Sequence, residues 1–87
     1  MQTITLTINN PTGLHARPAT LFTQTAAKFK SKIMIKKGEK AVDAKSILKL
    51  LTLAVKQGAE ITLTADGEDE AQALAALTEL IASNFGE

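Results

Sequence analysis

The stretch that decides the fold is TITLTINNPTGLHARPA, residues 3–19. Apolar residues alternate with threonines from residue 3 to residue 8, which predicts a strand with one buried face. The segment 9–13, with two Asn, one Pro and one Gly, then breaks this alternation. The turn leads directly into helical periodicity, so we expect a helix that begins at or near His15.

Downstream of this point the sequence predicts a helix and then a hairpin. The apolar face of the helix has residues spaced by three and four positions: Ala19, Phe22, Ala26 and Phe29. Residues 31–37 return to strand-type alternation, residues 37–40 form a tight turn, and residues 41–43 pair back as a short strand.

The second half of the chain predicts one more strand between two helices. Ser46 begins a helix, and we expect the turn Lys56–Gly58 to end it, with Gly58 in the left-handed conformation that follows a helix. Residues 60–64 predict a strand. The acidic run Asp66–Glu70 favours a helix start, because the helix dipole stabilises negative charge there. The apolar stripe of this last helix is Ala71, Leu74, Leu77, Ile81 and Phe85.

The predicted order is β-α-β-β-α-β-α, an α+β fold. Strands and helices do not alternate regularly, so we expect an antiparallel or mixed sheet with the three helices on one face. A chain of 87 residues is long enough to bury one core, and we expect a single domain over residues 1–87.

Composition excludes several classes of site. With no Cys and a single His, the chain has no disulfide, thiolate metal site or cysteine nucleophile, and we expect no metal and no cofactor. The first seven residues do not resemble a signal peptide, and no apolar stretch approaches the roughly 20 residues of a membrane span. We therefore expect a cytoplasmic protein without membrane insertion.

Charge is distributed unevenly although the formal net charge is only +1. Residues 1–57 carry ten basic and two acidic side chains, and residues 58–87 carry seven acidic ones and no Lys or Arg. Either the basic positions share a face that attracts an acidic partner, or folding mixes the two halves. Nucleic-acid binding is not expected, because the basic residues lack an aromatic stacking platform.

The only His and the only Arg of the chain lie two residues apart at the predicted helix start. The backbone N–H groups of Ala16 and Arg17 have no intrahelical acceptor there, and the Arg17 guanidinium matches phosphate oxygens. A neutral imidazole nitrogen is a nucleophile toward phosphorus. These residues therefore predict reversible phosphoryl transfer at His15, with a merely solvated surface histidine as the alternative.

Two motifs in register resemble one known family. Residues 13–19, GLHARPA, are similar to the active-site signature of HPr, the histidine-containing phosphocarrier of the bacterial sugar phosphotransferase system. Residues 44–50, AKSILKL, resemble its second signature, and residues 57–61 follow as the family requires. The resemblance covers essentially the whole chain. It implies an open-faced β-sandwich with a four-stranded antiparallel sheet and three helices.

The resemblance also implies a reaction. Enzyme I, phosphorylated by phosphoenolpyruvate, passes the group to Nδ1 of His15, which passes it to sugar-specific enzyme IIA domains. Arg17 corresponds to the family's phosphate-stabilising arginine, and the protein is a carrier rather than an enzyme. Two alternatives are a regulatory binding module of the same fold, against which His15 argues, and the nitrogen-regulation branch, which the lysine-rich first half fits less well.

Ser46 has two interpretations. Serine is a favoured N-cap, although Lys49 cannot complete a capping box. The resemblance adds a second one: in some lineages a serine kinase, opposed by a phosphatase, modifies this residue and weakens transfer to the histidine. The continuation at residues 48–52 looks more like lineages without that kinase, and both interpretations stay open.

The second helix is apolar in more directions than one core can cover. One arc contains Ile47, Leu48 and Leu51, and the other contains Leu50 and Leu53. We expect the first arc to be largely exposed as a docking patch, rather than the helix to be buried all round. The resemblance favours docking because the family's partners engage the starts of both helices.

The candidate docking residues are Thr20, Lys45, Ile47, Leu48, Lys49 and Leu51. The expected partners are enzyme I, enzyme IIA domains and other regulatory proteins. Nothing in the sequence requires more than a monomer.

Overall fold

The computed structural model describes residues 1–9, 11 and 13–86. The elements in chain order are β1 (Gln2–Thr7), α1 (Ala16–Ala27), β2 (Lys32–Lys37), β3 (Lys40–Asp43), α2 (Ile47–Thr52), β4 (Glu60–Asp66), α3 (Glu70–Ala82) and a closing 3₁₀ turn (Asn84–Gly86). All strand pairs are antiparallel, in the order β1-β4-β2-β3. The predicted α+β open-faced sandwich is thereby confirmed. The predicted break at residues 9–13 includes Asn10 and Thr12, which lie outside the described residues.

The two faces of the sheet follow from its register. Ile4 pairs with Leu63, and Leu63 pairs on its other side with Ile35, so apolar residues line one face across three strands. Leu63 and Ile35 are fully buried, and the helices cover this face. The opposite face carries threonines, including the cross-strand pair Thr5 and Thr62 with hydroxyls 3.2 Å apart. The strand alternation in the sequence thus separates a covered face from an open one.

The second helix ends earlier than predicted. We expected it to end at residues 56–58, but α2 ends at Thr52, and Ala54 adopts a left-handed φ of 51°. The reason is Val55, which is buried and accepts a hydrogen bond from the Leu14 N–H at 2.9 Å. The chain leaves the helix early to make this contact. Gly58 has a φ of 87°, but in the turn before β4.

Two predicted apolar faces are wrong in detail. Ala71 is exposed and Ala73 is buried, because at about 3.6 residues per turn Ala73 falls on the face that Leu77 defines. Phe85 is buried but lies beyond α3, in the 3₁₀ turn, and the half-buried Phe29 lies beyond α1. The remaining positions of both faces are buried as predicted.

Candidate functional site

His15 is the N-cap residue of α1, at the position that the sequence predicts. Its backbone is extended, with φ −77° and ψ −173°, and its carbonyl accepts a hydrogen bond from the Ala19 N–H at 2.8 Å. The imidazole makes no capping hydrogen bond and is exposed. The backbone of His15 is therefore fixed by the helix, while its ring stays available to an incoming group.

The first turn of α1 presents donors beside this imidazole. Ala16 and Arg17 are the first two helical residues, so their N–H groups have no intrahelical acceptor. Arg17 is exposed, and its guanidinium makes no hydrogen bond or salt bridge with any residue that the structure describes. Pro18 is buried and has no N–H to satisfy. The structure thus brings His15, Ala16 and Arg17 together at the positive end of one helix dipole.

The loop before His15 packs tightly against a second segment. Gly13 has a φ of 61°, and a Cβ atom there would lie 2.4 Å from the Val55 carbonyl oxygen. The Leu14 side chain is buried, and its N–H donates to the same Val55 oxygen. Val55 is not among the residues that the sequence predicts for the site. No local pattern in the sequence shows that the Val55 carbonyl meets the loop before His15, because this contact joins segments about 40 residues apart.

A small surface pocket of about 230 Å³ adjoins the imidazole. It is lined by Leu14, His15, Leu51, Ala54, Val55 and Lys56. A roomier depression of about 520 Å³ lies elsewhere, between β1 and α3, where Gln2 and Thr78 are among its lining residues. Among the described residues that line that depression there is no imidazole and no cationic side chain. Its chemistry gives it no role in phosphoryl transfer, so the smaller pocket marks the candidate site.

The two arcs of α2 separate only in part as the sequence predicts, because just one residue of the first arc, Leu48, is largely exposed. Leu48 is 76% exposed and Leu51 is 38% exposed, whereas Leu50 and Leu53 are buried in the core. Ile47 is intermediate, since it packs partly against the core. A large apolar side chain that is mostly exposed marks a surface for interaction.

The polar candidates for docking differ in how free they are. Lys49 is exposed. The Lys45 ammonium donates to the Phe29 carbonyl at 2.7 Å, so it is tied to the segment after α1. The half-buried Thr20 donates from Oγ1 to the Ala16 carbonyl at 2.7 Å, within the first turns of α1.

Ser46 is the N-cap of α2, as predicted. Its hydroxyl oxygen accepts a long hydrogen bond of 3.5 Å from the Lys49 N–H, and its side chain is half-buried. The capping interpretation is therefore confirmed. Phosphorylation of the same hydroxyl stays a prediction.

The described residues do not form a metal cluster or a membrane-spanning helix. Across residues 1–9, 11 and 13–86, no group of three or more His, Asp or Glu side chains is placed to hold a metal ion. In the same part of the chain, no helix combines the length and the apolar character needed to cross a membrane.

The fold and the site together define the class of protein: an α+β domain with an open-faced antiparallel sheet and an exposed histidine at the start of its first helix. Residues 2–83 match the family model described as the PTS HPr component phosphorylation site. Over 80 residues, covering 92% of this chain and 90% of the relative, the sequence is 50% identical to the phosphocarrier protein HPr of Neisseria meningitidis serogroup A. The chain therefore belongs to the HPr family of the phosphotransferase system.

Solved structures agree with this assignment. The crystal structure of HPr from Thermoanaerobacter tengcongensis superposes with a TM-score of 0.98, at 53% identity, over all of this chain and 98% of that one. A second structure, described as an HPr dimer from the same organism, has a TM-score of 0.81 at 53% identity and covers both chains completely. The four-stranded sheet with three helices is thus the fold of the family.

Proposed function

We propose that this chain is a phosphocarrier in which His15 accepts a phosphoryl group from phosphorylated enzyme I and donates it to enzyme IIA domains during sugar uptake. The single observation that carries the proposal is the exposed imidazole of His15, which makes no capping hydrogen bond at the N-terminus of α1. The proposal includes a cytoplasmic location and a single domain over residues 1–87.

The chemistry follows from the groups around the ring. The imidazole nitrogen, Nδ1 by resemblance to the family, forms the new N–P bond while the bond from phosphorus to the donor breaks. The N–H groups of Ala16 and Arg17 and the Arg17 guanidinium stabilise the negative charge on the phosphoryl oxygens. In the second transfer the N–P bond breaks and an acceptor on the next protein forms the new bond.

The protein acts as a carrier in this scheme. The phosphoryl group resides covalently on His15 between the two transfers, so the chain is a substrate of one reaction and the donor of the next. An N-cap position supports both steps, because the helix start stabilises the bound anion through amides and dipole without enclosing it.

The docking surface extends from the site onto α2. Leu51 lines the pocket beside His15 and also lies next to the exposed Leu48 on the arc that faces away from the core. Lys49 supplies positive charge to this surface. We assign Thr20, Lys45, Ile47, Leu48, Lys49 and Leu51 to partner docking, with an apolar centre and a basic rim that suit an acidic partner surface.

The decisive experiment mixes the chain with phosphoenolpyruvate and enzyme I and records intact mass. We expect a gain of one phosphoryl group that is labile to acid and stable to alkali, and we expect His15→Ala to abolish it. A mass gain that survives in His15→Ala would place the acceptor elsewhere. No gain in the wild-type chain would favour the regulatory binding module, and a gain only with the enzyme I of the nitrogen branch would place the chain there.

Ser46 phosphorylation is a separate proposal. A phosphate at the start of α2 is tolerated by the helix dipole but repels an acidic partner that docks beside it. Incubation with a serine kinase of this system should add one phosphoryl group that Ser46→Ala prevents, and should slow transfer to His15. If the wild-type chain gains no phosphate, the regulatory role of Ser46 is excluded.

The oligomeric state stays a prediction. We propose a monomer, while one structure of the Thermoanaerobacter tengcongensis HPr is described as a dimer. Sedimentation equilibrium over a range of protein concentrations measures the mass directly, and a dimeric mass at low concentration would contradict the proposal.

A further inference from the structure

Lys37, the last residue of β2, ties the sheet to the turn that follows α2. Its ammonium donates to the carbonyl oxygens of Leu53 at 3.1 Å and of Ala54 at 3.0 Å. Lys37 is half-buried and follows the alternation of Ile33 and Ile35, so it points to the helix side of the sheet. A cation at the C-terminus of a helix also interacts favourably with the helix dipole.

The turn that Lys37 holds contains a strained residue. Ala54 has a φ of 51°, in the left-handed region that side chains other than glycine rarely adopt. Such a conformation persists where surrounding contacts hold it. The two hydrogen bonds from Lys37 are made to the carbonyl groups on either side of the strained φ angle. They therefore restrain the backbone of Ala54 in this conformation.

The turn after α2 also contacts the loop before His15, at Gly13 and Leu14. The next residue, Val55, accepts the hydrogen bond from the Leu14 N–H at 2.9 Å, and Gly13 packs against the same carbonyl. Ala54 and His15 line the same surface pocket. A continuous series of contacts therefore connects the Lys37 ammonium to the residue that precedes His15.

We propose that Lys37 is a positioning residue for His15. It holds Ala54 in the left-handed conformation, which places the Val55 carbonyl against Leu14 and fixes the direction in which His15 presents its ring. This inference rests on the proposed phosphoryl transfer at His15. Transfer rates are sensitive to displacements of the reacting group, so loss of the two hydrogen bonds from Lys37 should slow phosphorylation of His15 by about 3- to 10-fold.

The test compares Lys37→Met with Lys36→Met. Lys36 is the adjacent residue, has the same charge, is exposed and points to the open face of the sheet. The donor is phosphoramidate, a small molecule that needs no docking surface: the imidazole nitrogen bonds to phosphorus, the P–N bond of the donor breaks and ammonia leaves. We expect Lys37→Met to be slowed and Lys36→Met to match the wild type. Exchange of the Leu14 amide hydrogen should accelerate in Lys37→Met only.

A rescue experiment separates positioning from charge. Glycine adopts a positive φ without a steric penalty, so Ala54→Gly should restore both the rate and the Leu14 amide protection in the Lys37→Met background. If Lys37→Met does not fold, Lys37→Gln carries the same expectations.

Two results would overturn the inference. One is a Lys37 variant as fast as Lys36→Met, and the other is a slow variant with normal Leu14 exchange and no rescue by Ala54→Gly. Failure of the wild-type chain to become phosphorylated at His15 would instead overturn the proposed function.

Discussion

Ser31 and Asp69, 38 residues apart in the sequence, are joined by two hydrogen bonds. The Asp69 carboxylate accepts from the Ser31 backbone N–H at 2.9 Å and from the buried Ser31 hydroxyl, and it also accepts from the Lys30 N–H at 2.8 Å. Asp69 is the N-cap residue of α3, yet its side chain makes no hydrogen bond to its own helix. One carboxylate therefore fastens the start of α3 to the segment that leads into β2.

Because of these hydrogen bonds to Asp69, we expect the stability of the folded chain to decrease in acid. Hydrogen bonds from the Ser31 hydroxyl and the Lys30 N–H lower the pKa of Asp69 below its ordinary value of 3.8. A group whose pKa is lowered by folding contributes stability above its unfolded pKa and loses that contribution as the pH falls through the folded pKa. We expect the melting temperature to fall below about pH 4 and Asp69→Asn to flatten this fall.

Controls distinguish Asp69 from acid effects in general. Glu79→Gln removes an exposed carboxylate and should leave the acid dependence unchanged. Some dependence should remain in Asp69→Asn, because the N-terminal ammonium of Met1 also lowers the pKa of Glu70. If the melting temperature falls equally steeply in acid in Asp69→Asn and in the wild type, the hydrogen bonds of Asp69 contribute nothing to the acid dependence.

The sequence predicts the features of this molecule that are set locally. Strand alternation, the helix start at His15 and the two arcs of α2 each follow from residues within a few positions of one another. What the sequence does not reveal depends on contacts between distant segments. The end of α2 at Thr52 is set by the contact of Val55 with Leu14, and the Asp66–Glu70 run predicts a helix start but not the hydrogen bonds that Asp69 makes with Ser31.

The close approach of Gly13 to Val55 can be tested with a matched glycine. Gly13 and Gly38 have the same φ of 61°, but a Cβ at Gly38 meets nothing within 4 Å, whereas at Gly13 it would meet the Val55 oxygen. Gly38→Ala should cost about 1 kcal/mol through the left-handed backbone alone, and Gly13→Ala should cost at least about 1–3 kcal/mol more. Urea denaturation of the two variants measures the difference, and equal losses would contradict the close contact.

The same leucine-to-alanine substitution should change the free energy of unfolding by very different amounts on the two arcs of α2. Leu50→Ala should cost about 2–5 kcal/mol, because Leu50 is fully buried, whereas Leu48→Ala should stay within about 0.5 kcal/mol of the wild type. Leu48→Asp should also leave the melting temperature nearly unchanged but slow transfer from enzyme I. Its phosphorylation by phosphoramidate should stay normal, since that donor docks on no protein surface. Marked unfolding of Leu48→Asp would assign the side chain to the core.

Arg17 should matter for transfer and not for folding. Its guanidinium is exposed and bonds to no described residue, so Arg17→Ala should leave the melting temperature unchanged. The guanidinium donates hydrogen bonds to the transferred phosphoryl group, so Arg17→Ala should slow phosphorylation by about 100-fold, both from enzyme I and from phosphoramidate. Arg17→Lys should recover part of the rate, since a lysine keeps the charge but loses the guanidinium fork.

Lys56 provides the matched control for Arg17. It is an exposed cation that lines the pocket beside His15 but lies outside the first turn of α1. Lys56→Ala should change the phosphoramidate rate by less than about threefold, because a screened surface charge contributes little. Equal losses for Arg17→Ala and Lys56→Ala would mean that the site attracts the phosphoryl donor by overall charge rather than binding it through Arg17.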